Sequence, residues 1–278
     1  MLVTLKEVLN EAKKYKYAVG NFITINLEMS KGIIDAAEEL NAPVIISPTE
    51  VFLNKASLDE LSPFLINMAK KAKIPVVLHY DHGFTPEKVL QTLKYGFSSV
   101  MYDCSRLSYE DNISRVANMT KIAHLFGASI EAELGHVGSN SENLNDNNIY
   151  TEVSNAKEYY EATGIDALAV AIGTVHGTYK NKPNLDYNRL KDLSTQVRCP
   201  LVLHGGSGLS DEDFKKCIKY GATKINIFTD INFIAAKAAH DFYEKGCIYY
   251  TDLMPNIVNE IKKATMKKIL IFGSDNKA

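Results

Sequence analysis

No run in this 278-residue chain is apolar enough to span a bilayer. The opening stretch, MLVTLKEVLNEAKKYK, lacks the long apolar core and small-residue cleavage site of a secretory leader. These absences argue against membrane and secreted classes and lead us to expect a cytoplasmic protein. Cysteine is sparse. Cys104, Cys199, Cys217 and Cys247 form no C-x-x-C pair and no dense framework, as expected of free thiols in a reducing compartment. There is no basic excess either: the formal net charge is -2, which carries no signature of a nucleic-acid partner. No linker or low-complexity tract divides the chain, so one domain over residues 1–278 is expected. A glycine-rich dinucleotide fingerprint is missing after the first strand, where Gly20-Asn21-Phe22 stands instead.

What is present is one pattern, repeated. A short apolar run ends in polar or glycine-rich residues, and a helical stretch follows. The runs are Tyr17 to Phe22, Pro43 to Ser47, Pro75 to His79, Ser98 to Asp103, Ser129 to Glu133, Ala167 to Ile172, Pro200 to His204 and Lys224 to Ile227. The intervening stretches carry apolar residues three or four apart, as in Ile33/Ala36/Ala37/Leu40, which suits a helix covering one face of a sheet. Strict alternation of strand and helix predicts an α/β fold, an eight-stranded parallel (β/α)8 barrel, with an open doubly wound sheet as the alternative.

In such a barrel the residues just past the strand ends converge on one mouth. Strand three ends at His79 and delivers Asp81 and His82 from His79-Tyr80-Asp81-His82-Gly83, ahead of a helix start at Thr85-Pro86. Strand five delivers Glu131 and Glu133, the loop after strand six His176, and strand seven His204. Three histidines with an open position and a carboxylate suit a catalytic zinc ion. His79 reads as an orienting neighbour and His136 as a loop residue, while His124 and His240 fall within helices. Gly205-Gly206-Ser207-Gly208 after strand seven and Asn226-Ile227-Phe228-Thr229 after strand eight stand where barrels commonly hold phosphate. Lys224 is read as opening strand eight rather than ending it, so no lysine is expected to be well placed to form a Schiff base.

Taken together, HYDHG at 79–83, YDCSRLSYEDNI at 102–113, EAELGHVG at 131–138, AIGTVHGTYKNKPNLDYNRL at 171–190, LHGGSGLSDEDFKKCIKYGATKINIFTD at 203–230 and the tail IFGSDNKA resemble the class II, zinc-dependent ketose-bisphosphate aldolases. The resemblance implies reversible cleavage of a ketose 1-phosphate or 1,6-bisphosphate, of the fructose or tagatose type, to dihydroxyacetone phosphate and an aldehyde. It implies Asp81 as the catalytic acid, zinc on His82, His176 and His204, and Glu133 as an occasional or second metal contact. Gly177, Gly205, Gly206, Ser207, Asn226, Ile227, Phe228 and Thr229 would bind substrate. Lys180 would help position phosphate or a monovalent cation, Na⁺ or K⁺. A homodimer or homotetramer is implied, with no nucleic-acid or membrane partner.

Three departures bear on substrate. Isoleucine occupies position 23, where bisphosphate aldolases usually carry an asparagine in F-N-x-x-N. The lid glutamate of their G-G-x-E pattern is replaced by Ser141, with Glu142 one residue later as the candidate base. Phe228 is bulkier than its usual counterpart. The polar stretch Gly138 to Asn148 reads as that lid, or as a solvated loop. The acceptor pocket is therefore expected to be remodelled. The alternatives are an aldolase for a longer or acidic sugar phosphate, or a non-catalytic sugar-phosphate-binding relative. A metal-dependent hydrolase is disfavoured by the lack of an H-x-H pair on the first strand.

Overall fold

A computed structural model describes residues 1–138, 150–179 and 181–278. Eight parallel strands close on themselves in chain order: β1 Val19–Ile23, β2 Val44–Ser47, β3 Val76–Gly83, β4 Ser99–Tyr102, β5 Ser129–Leu134, β6 Ala167–Val170, β7 Leu201–Leu203 and β8 Ala222–Ile227. The helices are α1 Leu5–Tyr15, α2 Leu27–Glu39, α3 Leu58–Lys71, α4 Pro86–Tyr95, α5 Tyr109–Leu125, α6 Val153–Thr163, α7 Tyr187–Gln196, α8 Asp211–Lys219, α9 Thr229–Glu244 and α10 Tyr250–Phe272. A short 3-10 turn, Glu50–Phe52, follows β2. This is the (β/α)8 barrel expected from the sequence. None of the described helices is long and apolar enough to cross a membrane.

The strand pleat sorts side chains into two layers. Outward-facing residues such as Phe22, Ile46, Leu78, Val100, Ile130 and Leu203 pack against the helices in one large apolar shell. Inward-facing residues low in the barrel form a second cluster of Val19, Ile45, Val77, Met101, Ala167, Ala169 and Val202. Leu5, Val8, Leu9 and Ala12 of α1 close that cluster from below. These four residues follow the i, i+3, i+4, i+7 spacing of one helix face, which is why α1 works as a plug. Its start is fixed by a capping box between Thr4 and Glu7.

Two strand boundaries correct the sequence reading. β3 does not end at His79 but runs to Gly83, pairing with β4 through a shift of register between Tyr80 and Gly83. His82 sits inside this irregularity with φ +44°, a conformation a non-glycine residue holds only when its surroundings fix it. Consecutive strand residues normally point to opposite faces. The bulge breaks that alternation, so Asp81 and His82 both reach the mouth. β8 begins at Ala222, which moves Lys224 from the opening of the strand to its interior.

Candidate active site at the barrel mouth

Above the apolar plug the barrel interior turns polar. His82, from the β3 bulge, directs Nε2 at Nε2 of His176, 3.2 Å away, and at Nδ1 of His204, 2.8 Å away. The second nitrogen of each ring faces an oxygen. His82 Nδ1 lies 2.8 Å from Asp103, His204 Nε2 lies 2.8 Å from Glu131, and His176 Nδ1 lies 3.1 Å from the Val137 carbonyl. Those acceptors place the ring protons on the outside, which leaves three lone pairs aimed at one point. Lone pairs at such distances repel unless a proton or cation lies between them. Nitrogens bound at the usual zinc distance would stand about 3.3 Å apart at tetrahedral corners. The donor set therefore fits a metal ion, and the three histidines form one of three potential metal-binding groups among the described residues.

The protonation pattern without metal follows the same geometry. Burial opposes a charge on His82, but Asp81 and Asp103 outweigh it and push the ring up to about 9. Burial, reinforced by charged His82, pulls His176 down to about 4 and His204 well below the ordinary histidine range. Burial would raise Asp103, yet the hydrogen bonds from His82 and Ser105 hold it well below the carboxylate range. Glu133 accepts from the Val137 N–H at 2.9 Å through Oε1, while its buried Oε2 has no hydrogen-bond partner. Burial and the nearby Asp103 raise its carboxyl. Glu133 also lies within metal-sharing distance of His82 and Asp103.

Asp81 borders the histidines. Its Oδ1 accepts from Asn226 Nδ2 at 2.9 Å and from Asn21 Nδ2 at 3.4 Å, and Lys224 Nζ lies 3.9 Å from the same oxygen. Burial favours the neutral acid, but His82, His204 and Lys224 outweigh it and hold the carboxyl below its ordinary value.

Beneath it Lys224 donates to Glu131 at 2.8 Å, both side chains being fully buried. The sequence reading had sent Glu131 to the mouth and Lys224 to the start of its strand. Both instead face inward in the barrel, under the cavity. Sealed and ion-paired, Lys224 is not placed to meet a substrate carbonyl, for a different reason than expected. The His79 Nδ1 lies 2.7 Å from Ser99 Oγ, and its Nε2 is 3.8 Å from Asp81.

A cavity of about 620 Å³ opens over these groups. Asp81, His82, His176, Gly177, Gly205, Gly206, Ser207, Asn226, Phe228 and Thr229 line it, as does His136, which the sequence reading had set aside as a loop residue. Gly205 has φ +67°, and a Cβ there would stand 2.5 Å from the Val175 carbonyl. A Cβ on Gly206 would meet the Asn226 carbonyl at 2.7 Å. Both glycines are thus required by close backbone approach. Ser207 Oγ accepts from the N–H groups of Phe228 and Asp230 at 3.0 and 3.3 Å, joining this turn to the start of α9.

Ile227 is a correction: alternation turns its side chain outward into the apolar shell, and it does not line the cavity. Asn21, Asp103 and Ser47, which hydrogen-bonds Asn21 at 2.7 Å, are polar groups of the site that sequence reasoning missed. Their signal was position, each being an inward-facing residue at or near a strand end. Glu142, Ser141 and Lys180 lie outside the described residues.

Comparison with known proteins gives the family. The family model described as "Fructose-bisphosphate aldolase class-II" matches residues 3–277. The chain belongs to the class II fructose-bisphosphate aldolase family. Among members, it is 37% identical over 288 residues to a fructose-bisphosphate aldolase of Staphylococcus aureus, covering 100% of this chain and 99% of that one. It is also 38% identical over 280 residues to the uncharacterized protein YdjI of Escherichia coli, covering all of both chains. The crystal structure of the YdjI aldolase superposes with TM-score 0.91 at 37% identity over the full length of both chains. A putative fructose-1,6-bisphosphate aldolase from Coccidioides immitis superposes with TM-score 0.90 at 29% identity, covering 98% of this chain and 97% of that one. Class II aldolases are metal-using lyases, in keeping with the imidazole cluster.

Proposed function

We propose that this chain is a zinc-dependent aldolase that reversibly cleaves a ketose 1-phosphate or 1,6-bisphosphate to dihydroxyacetone phosphate and an aldehyde. The observation that carries the reading is the convergence of His82, His176 and His204, each with its other nitrogen tied to an oxygen, beside the buried carboxylate Asp81. These three histidines would hold the metal, with Glu133 as an alternative contact. When bound, zinc would supply a Lewis acid for the negative charge that develops on substrate oxygen.

The chain's own residues do the rest. Gly177, Gly205, Gly206, Ser207 and Thr229 hold the phosphate at the N-terminus of α9, where the helix dipole favours an anion. Asn226 and Asn21 fix Asp81 through Oδ1, which leaves Oδ2 to exchange a proton with substrate. In cleavage, Asp81 takes the proton of the hydroxyl that becomes the aldehyde. The electron pair of the broken carbon–carbon bond stays on the dihydroxyacetone phosphate fragment as an enediolate, and in condensation Asp81 returns the proton. A low carboxyl pKa suits the accepting role, because Asp81 is ionised when the ketose binds. Glu142 is the proposed base for the dihydroxyacetone phosphate proton.

Solvent deuterium exchange into dihydroxyacetone phosphate separates these roles. Wild type should exchange, and Asp81→Ala should keep exchange while losing roughly 10²–10⁴ in bond cleavage. Parallel loss of both activities would merge two roles assigned here to different residues. A Glu142→Ala variant that exchanges as fast as wild type would remove Glu142 from the scheme.

A further inference from the structure

The cavity wall changes character around the barrel. On the side of β8, β1, β2 and β3 it is built by Phe228, Ile23, Val51, Phe52 and Phe84, with the Thr49 hydroxyl as a polar group among them. These elements are neighbours in the closed ring, and Phe52 and Phe228 pack with ring centroids 4.8 Å apart. Asp103, Arg106 and His136 line the cavity from the loops after β4 and β5, which lie opposite β8 and β1 in the ring. The apolar side is braced. Glu50, in the turn that carries Val51 and Phe52, accepts from the N–H groups of Phe84 and Thr85 at 2.9 and 3.1 Å and from Tyr80 Oη at 3.2 Å.

In the aldolase reading this wall borders the aldehyde site. Asp81, the proposed proton donor, is joined to the β2 end: its N–H donates to the Pro48 carbonyl at 3.0 Å, and Thr49 bridges to it. The proposed phosphate site occupies the β7–β8 side, so the carbon chain of the aldehyde extends from Asp81 along Ile23, Val51 and Phe52. A phosphate or carboxylate pressed there would lose hydration and meet no cation among these side chains, only the Thr49 hydroxyl, whereas an alkyl end gains by leaving water.

We infer that the aldehyde ends in an uncharged, apolar group, so that the ketose carries one phosphate and a deoxy or alkyl terminus. This deepens the aldolase reading and rests on it. In the condensation, the enediolate carbon of dihydroxyacetone phosphate supplies the electron pair of the new carbon–carbon bond. The aldehyde π pair moves to its oxygen, which takes the Asp81 proton. The proton removed from dihydroxyacetone phosphate balances the step, and no further reagent is needed.

The test pairs zinc-loaded full-length protein and dihydroxyacetone phosphate with lactaldehyde, butyraldehyde, glyceraldehyde 3-phosphate or succinic semialdehyde. One methylene in an apolar pocket is worth about 10–200-fold. The expected result is that kcat/KM for the two uncharged aldehydes exceeds that for both charged ones by at least about 10-fold, and that Ile23→Asn and Phe52→Ala each lower this ratio. Preference for a charged aldehyde that disappears in Arg106→Met would overturn the inference, as would a ratio unmoved by both wall variants. Deuterium exchange into dihydroxyacetone phosphate keeps the two levels apart: exchange with a charged aldehyde preferred sinks this inference alone, and no exchange sinks the aldolase reading with it.

Discussion

The lower and upper halves of the barrel interior are built by the same strands yet have opposite chemistry. On β3, Val77 belongs to the apolar plug, whereas His79 and Asp81, two and four residues later, stand among ions. On β7, Val202 is oily, and His204, just past the strand's end, faces Glu131. One pleat repeat carries each strand from one regime to the other. The lower half gains from removing hydrocarbon from water. The upper half buries Lys224, Glu131, Asp81 and His204, an arrangement that is costly unless every charge is matched. The contrast separates what keeps the barrel closed from what it does.

Substitutions in the two halves should therefore fail differently. Lys224→Met leaves Glu131 buried without its cation and should cost about 3–5 kcal/mol in denaturant unfolding. It should also weaken metal retention, because Glu131 orients His204. Leu9→Ala opens a cavity in the plug and should cost about 2–5 kcal/mol, with metal content and kcat unchanged at a temperature where the variant is folded. Loss of metal from folded Leu9→Ala would break the separation of the halves.

A smaller effect sharpens the comparison through pH. Metal-free His82 titrates near about 9, above its ordinary 6.5, so the folded chain binds the extra proton between these values. Its stabilising contribution is full below 6.5 and is lost as pH rises toward about 9. His176 is depressed to about 4, so its contribution is present above 6.5 and is lost as pH falls toward about 4. Thermal melts of metal-free protein should accordingly lose stability on both sides of about pH 6.5, and zinc should remove the alkaline loss by taking the place of the His82 proton. An alkaline loss of equal size with zinc bound would contradict this assignment.

The barrel was legible because buried parallel strands are short apolar runs and the helices between them carry one apolar face. The histidine cluster was legible because strand ends converge once the fold is known. What escaped depended on pairing across the barrel. Ala222-Thr223-Lys224 reads as a polar lead-in until Glu131, 93 residues away, is seen opposite the lysine. Asp103 looks like an ordinary strand-end acid until the β3 bulge turns His82 toward it. Ile227 could have been placed correctly from alternation alone, since Asn226 faces inward.

Metal analysis of the purified protein tests the central claim most directly. The expected result is about one zinc per chain in wild type, the stoichiometry of a three-ligand catalytic site, retained in Asp81→Ala and lost in folded His82→Ala. Metal-free wild type with full activity, or His82→Ala that retains its zinc, would contradict it.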